Sequence, residues 1–257
     1  LSDEHSKAYP SLSAAFDKYN EEILTDAKAL MYEITPLAKE MEGEEYDPVY
    51  CQSDAKVYMQ RADNHIVSFL ECMEKYTGGI HPDYYVNGRN YNSGTGEKVQ
   101  LSDVLADTKE LSSILEKKIT EKYPDVAFSD LKDTFSKYKE EEFTWTIDYQ
   151  GINFWFSPYE IAAFSAGTLS AKIWFDEYPD MFNKAYMESP ENFVMTLPMR
   201  QKIDFDLNRN NEKKDYIEID SSLDQYGSYN MLSVTVNGKT FTDEINYAYD
   251  FDVYLAH

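Results

Sequence analysis

Val57–Val104 reads VYMQRADNHIVSFLECMEKYTGGIHPDYYVNGRNYNSGTGEKVQLSDV, the most patterned run of the chain. Val57-Tyr58-Met59 and Ile66-Val67-Ser68-Phe69-Leu70 are β-prone and flank Arg61-Ala62-Asp63-Asn64. Asp and Asn tolerate the left-handed region and bond their own backbone, so this tetrad predicts a turn between two strands. A third, Tyr-rich strand is expected over Asp83–Asn92, and Asn92-Ser93-Gly94-Thr95-Gly96 is a turn by composition. Val99-Gln100-Leu101 reads as a short strand, with Ser102 capping the helical turn Asp103-Val104-Leu105.

Upstream, Leu12, Phe16, Tyr19, Ile23, Leu30, Ile34 and Leu37 recur near helical spacing, predicting a helix over Tyr9–Met41 that covers one face of a sheet. Pro10 suits its first turn and Pro36 is expected to kink or end it. Glu42–Asp47 is an acidic break, and Tyr46–Met59 the full extent expected of the first strand. Downstream, Leu111, Ile114, Leu115 and Ile119 line one helix, and Leu131, Phe135 and Tyr138 a shorter one after Ser129. Phe143–Asp148 and Ile152–Phe156 read as a hairpin joined by Tyr149-Gln150-Gly151, followed by a strand over Leu169–Phe175 and a last helix over Tyr178–Tyr186. Helices between antiparallel strands argue an α+β fold.

After about Glu188 the character becomes all-β. Met199–Phe205, Tyr216–Asp220, Tyr229–Val236 and Tyr247–Leu255 read as strands, and Asn237-Gly238 is a strong two-residue hairpin signal. This segment is expected to be a small separate unit. It stops straight after a strand, so the natural chain is expected to continue past His257.

The 257 residues carry a net charge of -23, with 42% hydrophobic and 15% aromatic residues, 22 of them Tyr. The composition is that of a folded chain, and the charge argues against nucleic acid and for basic partners or cations. No run of about 18 apolar residues predicts a membrane span. Leu1-Ser2-Asp3-Glu4 has no leader character, so a removed leader or anchor is compatible with export. Cys51 and Cys72 form no Cys-x-x-Cys pair; whether they pair with each other stays open, since the strand turn sets them several positions out of register.

Three sites stand out. Asp204, Asp206, Asn208, Glu212 and Asp215 place oxygen ligands at positions one, three, five, nine and twelve of a loop, as Ca²⁺ requires. Arg209 stands where such a loop favours Gly, and the alternative is an Asx-rich turn without metal. His81 follows Gly78 and Gly79, which would allow close backbone approach to a ligand; the alternative is a strand crossing with His81 as a hydrogen-bond partner. Tyr159 and Glu160 lie between a Pro and an apolar run, and Tyr159 is taken with His81, Gly78 and Gly79 as a candidate ligand contact. Four His residues argue against a His-based triad or metal site. No phosphate loop or nucleophile elbow is present, and no acid pair can be singled out among 47 carboxylates.

The order of Arg61-Ala62-Asp63, Gly78-Gly79-Ile80-His81-Pro82, the Thr95-Gly96-Glu97-Lys98 turn and Leu101-Ser102-Asp103-Val104 resembles a bacterial extracytoplasmic domain of unknown function. That domain is found in the outer part of the anti-sigma factor RsiV and beside the catalytic domain of the peptidoglycan deacetylase PdaC. The run from Phe154 to Gly167, with Pro158-Tyr159-Glu160-Ile161 and Ala166-Gly167, resembles the second half of the same unit. The resemblance covers about Tyr9–Tyr186. It implies two halves, 1–108 and 109–187, of one α+β unit outside the membrane, usually in Gram-positive bacteria, with 188–257 lying beyond it. It implies a non-catalytic sensor or binding module for a basic protein such as lysozyme. The alternatives are an accessory domain that binds peptidoglycan glycan and a hydrolase whose acids go unrecognised.

Overall fold

The three strands quoted first form one antiparallel sheet: β1 (Gln52–Ala62), β2 (Ile66–Tyr76) and β3 (Asp83–Asn92), in that order. The computed structural model describes residues 1–40, 52–77, 80–207, 215–223, 228–248 and 251–256. The turn is tighter than the tetrad suggested, because Arg61 and Ala62 remain in β1. Asp63 closes it, its Oδ1 accepting from the backbone N–H groups of His65 and Ile66 at 2.8 and 2.9 Å. The register sets Ala62 opposite Val67 and Lys56 opposite Cys72, with a bulge between Met59 and Arg61. Cys51, Glu42–Asp47 and the expected strand start at Tyr46 lie outside the described residues.

A long helix lies on one face of this sheet. A short α1 (Asp3–Ala8) leads into α2 (Pro10–Glu40), which starts at its proline as expected. It runs through Pro36 rather than ending there. Pro36 removes the donor for the carbonyl of Tyr32, but Tyr32 is 80% exposed, so water can serve that carbonyl. Leu12, Phe16 and Tyr19 meet Val67, Phe69 and Tyr91. The rings pack edge-on, Phe16 at 6.0 Å from Phe69 and 5.6 Å from Tyr91.

The second sheet is β4 (Thr144–Ile147), β5 (Gly151–Phe156) and β6 (Leu169–Trp174). Every residue of β5 and β6 is buried, so the sheet is covered on both faces. Ile152, Phe154, Phe156 and Ile173 face α4 (Leu111–Lys122) and α5 (Leu131–Lys137), packing on Leu115, Ile119, Leu131 and Phe135. Each such buried side chain contributes about 1.5–3 kcal/mol. α3 (Leu101–Val104) is capped from Gln100, whose N–H donates to Asp103 Oδ2 at 2.8 Å; the cap is not Ser102. α5 begins after Ser129 as expected, with Asp130 as its cap. The helix expected over Tyr178–Tyr186 is two single turns, Pro179–Met181 and Lys184–Tyr186. Between them Phe182 is held extended against Leu105, which keeps the two turns from joining.

The strands after Glu188 do not pack by themselves. β7 (Val194–Leu197), β8 (Lys202–Phe205) and β9 (Asp215–Leu223) share one apolar cluster with Tyr58, Leu70 and Val86 of the first sheet, Trp155 of the second and Tyr149 of the β4–β5 turn. β7, which the sequence reading missed, pairs with β12 (Val253–Ala256). β10 (Tyr229–Val236) and β11 (Lys239–Ala248) continue the sheet from β9. Asn237 and Gly238, at φ 51° and 80°, make the left-handed turn that the dipeptide predicted. Among the described residues no helix is long and apolar enough to cross a membrane.

Candidate functional site

Residues 78 positions apart in sequence meet on the surface where β3 begins and β5 ends. The His81 ring stacks on Phe164, centroids 3.7 Å apart and planes 17° from parallel. Tyr159 lies 5.4 Å from the same Phe164 ring, and its hydroxyl is 3.4 Å from His81 Nε2. Tyr84 closes the group at 6.1 Å from Phe164. Ile80 beside it is fully exposed and Tyr159 is 67% exposed. The result is a ledge of four rings, open to solvent.

The turn after β5 builds this ledge. Ser157 N–H donates to Glu160 Oε2 at 2.8 Å, and Glu160 N–H donates back to the Ser157 carbonyl at 3.1 Å. Tyr138 OH takes the other carboxylate oxygen at 2.9 Å, and Val86 N–H on β3 donates to Ser157 Oγ at 3.2 Å. Burial raises the Glu160 pKa, while the donors from Ser157 and Tyr138 act against the rise. The closed turn forces Tyr159 into the left-handed region at φ 71°, a costly place for an aromatic residue. Burial and the Glu74 carboxylate, opposite Tyr84 across β2 and β3, raise the Tyr84 pKa, Arg200 acts against the rise, and Asp83 is exposed at the start of β3.

The structure thus brings together His81 and Tyr159, both expected from sequence as ligand-contacting. Gly78 and Gly79 lie outside the described residues. Phe164, Tyr84 and Ile80 were missed; the cue was the aromatic and apolar density on either side of the two nominated residues. His81 Nδ1 also lies 3.0 Å from the carbonyl of Pro82.

Of the five residues expected to hold calcium, Asp204, Asp206 and Asp215 are described, and each has protein partners. Asp204 is in β8, and its carboxylate holds the Lys122 ammonium at 2.6 Å. Asp206 is buried; its backbone exchanges two hydrogen bonds with the Gln150 side chain, at 2.8 and 2.9 Å. Asp215 opens β9 and accepts from Leu207 N–H and Asn237 Nδ2. Asn208 and Glu212 lie outside the described residues. Among the described residues no group of three or more His, Cys, Asp and Glu side chains is gathered as a metal ion would need.

Three buried charges went unread in the sequence. Arg61, fully buried, donates to Asp63 Oδ2 at 2.6 Å and to the carbonyls of Asp148, Tyr186 and Glu188 at 3.3, 2.6 and 3.0 Å. Glu71 accepts from Tyr19 OH, Asn87 and Arg89, which pins α2 to the first sheet. Lys172 donates to Asp148 Oδ2 at 2.6 Å and to the Asp204 carbonyl at 3.0 Å. Burial pulls the Lys172 pKa down and the carboxylate beside it pulls it back up.

Residues 102–176 match the model of DUF3298, a family described as a protein of unknown function. A crystal structure of a DUF3298 member from Bacteroides fragilis is similar at 18% identity and a TM-score of 0.48, covering 68% of this chain and 72% of that one. A DUF3298 protein from Pseudomonas aeruginosa is similar at 14% identity and a TM-score of 0.43, covering 63% of this chain and 79% of that one. No curated protein matches this chain.

Proposed function

We propose that this chain is a non-catalytic binding module of the bacterial cell envelope, and that it recognises a basic protein of the lysozyme kind through the ledge of His81, Tyr84, Tyr159 and Phe164. The observation that carries the reading is Tyr159: a large ring held 67% exposed on strained backbone. Strain of this sort persists at positions that serve contact with something else. A rigid aromatic side chain gives large contact area at little entropic cost, and aromatic residues are enriched where interfaces are strongest.

Charge supports the class of partner. A net charge of -23 steers a cationic protein toward the molecule, and Asp83 and Glu74 stand beside the ledge. Tyr rings also take Arg and Lys side chains on their faces. The resemblance to the RsiV and PdaC domain, with its extracytoplasmic setting, agrees with this reading.

A second reading rests on the same rings. Tyr and Phe surfaces that keep a polar edge suit stacking on the apolar faces of sugars, so peptidoglycan glycan is the alternative ligand.

Calorimetric titration of the intact chain with lysozyme, at low and at moderate salt, separates the two. Saturable binding that persists at moderate salt and falls at least about tenfold in Tyr159→Ala supports the protein ligand. Binding that vanishes with salt reports only charge attraction and removes the proposal. Retention on insoluble peptidoglycan at high salt, lost in the same variant, moves the assignment to glycan.

A further inference from the structure

Asp148, Asn153 and Lys172 form a closed set between the second sheet and β8. Asn153 on β5 and Lys172 on β6 are directly opposite one another. Both donate to the same oxygen, Asp148 Oδ2: Asn153 Nδ2 at 2.7 Å and Lys172 Nζ at 2.6 Å. All three side chains are buried, at 0%, 3% and 2% exposure for Asp148, Asn153 and Lys172. Nζ stands 4.3 Å from the centroid of the Trp174 ring and 5.0 Å from that of Phe205. The Asp204 carbonyl holds it from the third side.

An ion pair needs only Lys172 and Asp148. The third member adds an acyl carbon with an amide nitrogen as leaving group, held against the same carboxylate as the amine. An amine, a carboxamide and one acid within hydrogen-bond reach of both, shielded by rings, are the components of an acyl transfer. We propose that Lys172 and Asn153 become joined by an intramolecular amide bond, with Asp148 carrying the proton.

The step balances within the three residues. The Lys172 ammonium passes one proton to Asp148, which removes both charges from an apolar site. The neutral amine attacks Asn153 Cγ, the Nζ–Cγ bond forms and the Cγ–Nδ2 bond breaks. Nδ2 leaves as ammonia, taking the second proton that Nζ gives up. The third stays on the new amide, and Asp148 keeps the first until solvent removes it. No oxidant, metal or activated donor is consumed. Burial already disfavours the ammonium, and fixed proximity replaces a bimolecular encounter. The Asn153 carboxamide must turn so that Oδ1 receives the hydrogen bond of protonated Asp148, a rotation of its terminal group alone.

Two neighbours keep the set in place. Asp148 Oδ1 accepts from the N–H groups of Gln150 and Gly151 at 2.8 and 3.1 Å, so the carboxylate cannot swing away. The Asp204 carboxylate is held by Lys122 at 2.6 Å; its charge and that of Lys122 act on Lys172 in opposite directions.

Mass spectrometry of the intact, denatured chain is the test. The expected mass is that of the sequence less one ammonia, and proteolysis should yield one branched peptide joining Lys172 to Asn153. Lys172→Arg keeps the cation beside Asp148 and should restore the full mass, as should Asp148→Asn. A wild-type chain at full mass overturns the proposal. So does loss of one water with a Lys172–Asp148 branch, or loss of ammonia mapped to a ring at Asn237-Gly238. Because the wild-type mass decides the matter, the outcome does not depend on whether a variant folds.

Discussion

Gly88 lies directly beneath Trp145: a Cβ on Gly88 would stand 1.8 Å from the Trp145 carbonyl oxygen and 2.6 Å from its carbon. The edge strand β4 crosses the face of the first sheet here. Its backbone groups are satisfied by side chains of that sheet, Asn90 Nδ2 donating to the Trp145 carbonyl at 2.9 Å and Ile147 N–H to Ser68 Oγ at 2.9 Å. The two halves of the chain are therefore joined by an edge laid on a face, and an exposed edge is removed from solvent.

Gly88→Ala must push β4 off the sheet, since the obstacle is backbone and cannot rotate away. The expected cost is about 2–3 kcal/mol, the range for overpacking a tight site. A urea transition shifted to lower midpoint with unchanged slope would bear this out. A midpoint equal to wild type would mean that β4 does not rest on Gly88.

Arg61→Ala should be more damaging. It strands Asp63 and orphans three carbonyls that the guanidinium now serves. Removing one partner of a buried charge network costs about 3–5 kcal/mol. Arg61→Lys keeps the charge but lacks the fork of donors, so it should recover only part of the loss. Equal stability of the Lys variant and wild type, by thermal melting, would show that geometry is unimportant here.

Tyr159→Gly is expected to stabilise the fold while weakening ligand binding. Glycine takes φ 71° without the left-handed penalty of about 1–2 kcal/mol, and little buried surface is lost from an exposed ring. After its entropic cost a gain of about 1 kcal/mol remains. A variant that melts lower than wild type would mean that the ring supports the turn rather than serving a contact.

Alkali should unfold the protein through its buried phenols. Burial raises the pKa of Tyr19, Tyr58 and Tyr138 well above the ordinary 10.0, and pushes the Cys72 thiol up to about 12 from 9.0. A group whose folded pKa is raised contributes stability below its unfolded pKa and loses it as pH rises through the folded one. Stability should therefore fall above about pH 9–10 for these groups. Absorbance titration should show a late class of tyrosines ionising together with loss of circular dichroism. Smooth ionisation of all tyrosines in a still-folded protein would contradict this.

Local chemistry was legible where one element supplied all the information. Asp83–Asn92, Tyr229–Val236 and the Asn237-Gly238 turn coincide with what pattern and turn residues announce. Pro10 opens its helix, and the apolar stripe of α4 is the buried one. Tyr178–Tyr186 failed because Phe182 pairs with Leu105, a contact no local window contains. β7 was missed because its partner, β12, begins more than fifty residues later.

The candidate site divides the same way. His81 and Tyr159 could be nominated singly, from glycines and proline beside them, but not joined, and Phe164 between them carries no mark of its own. Lys172 reads as an ordinary strand lysine and Asp148 as an ordinary turn residue until β5, β6 and β8 bury them together.

Most of the helices and strands, the acidic character and the positions of most turns were determined by the chain itself, because hydrophobic period, glycine, proline and capping residues act over a few residues. Tertiary structure alone decided that the all-β strands complete a core begun at Tyr58, that Arg61 serves carbonyls near residue 188, and that four rings share one ledge. Burial and hydrogen bonding there depend on which surfaces meet, and that is a property of the packed molecule rather than of any stretch within it.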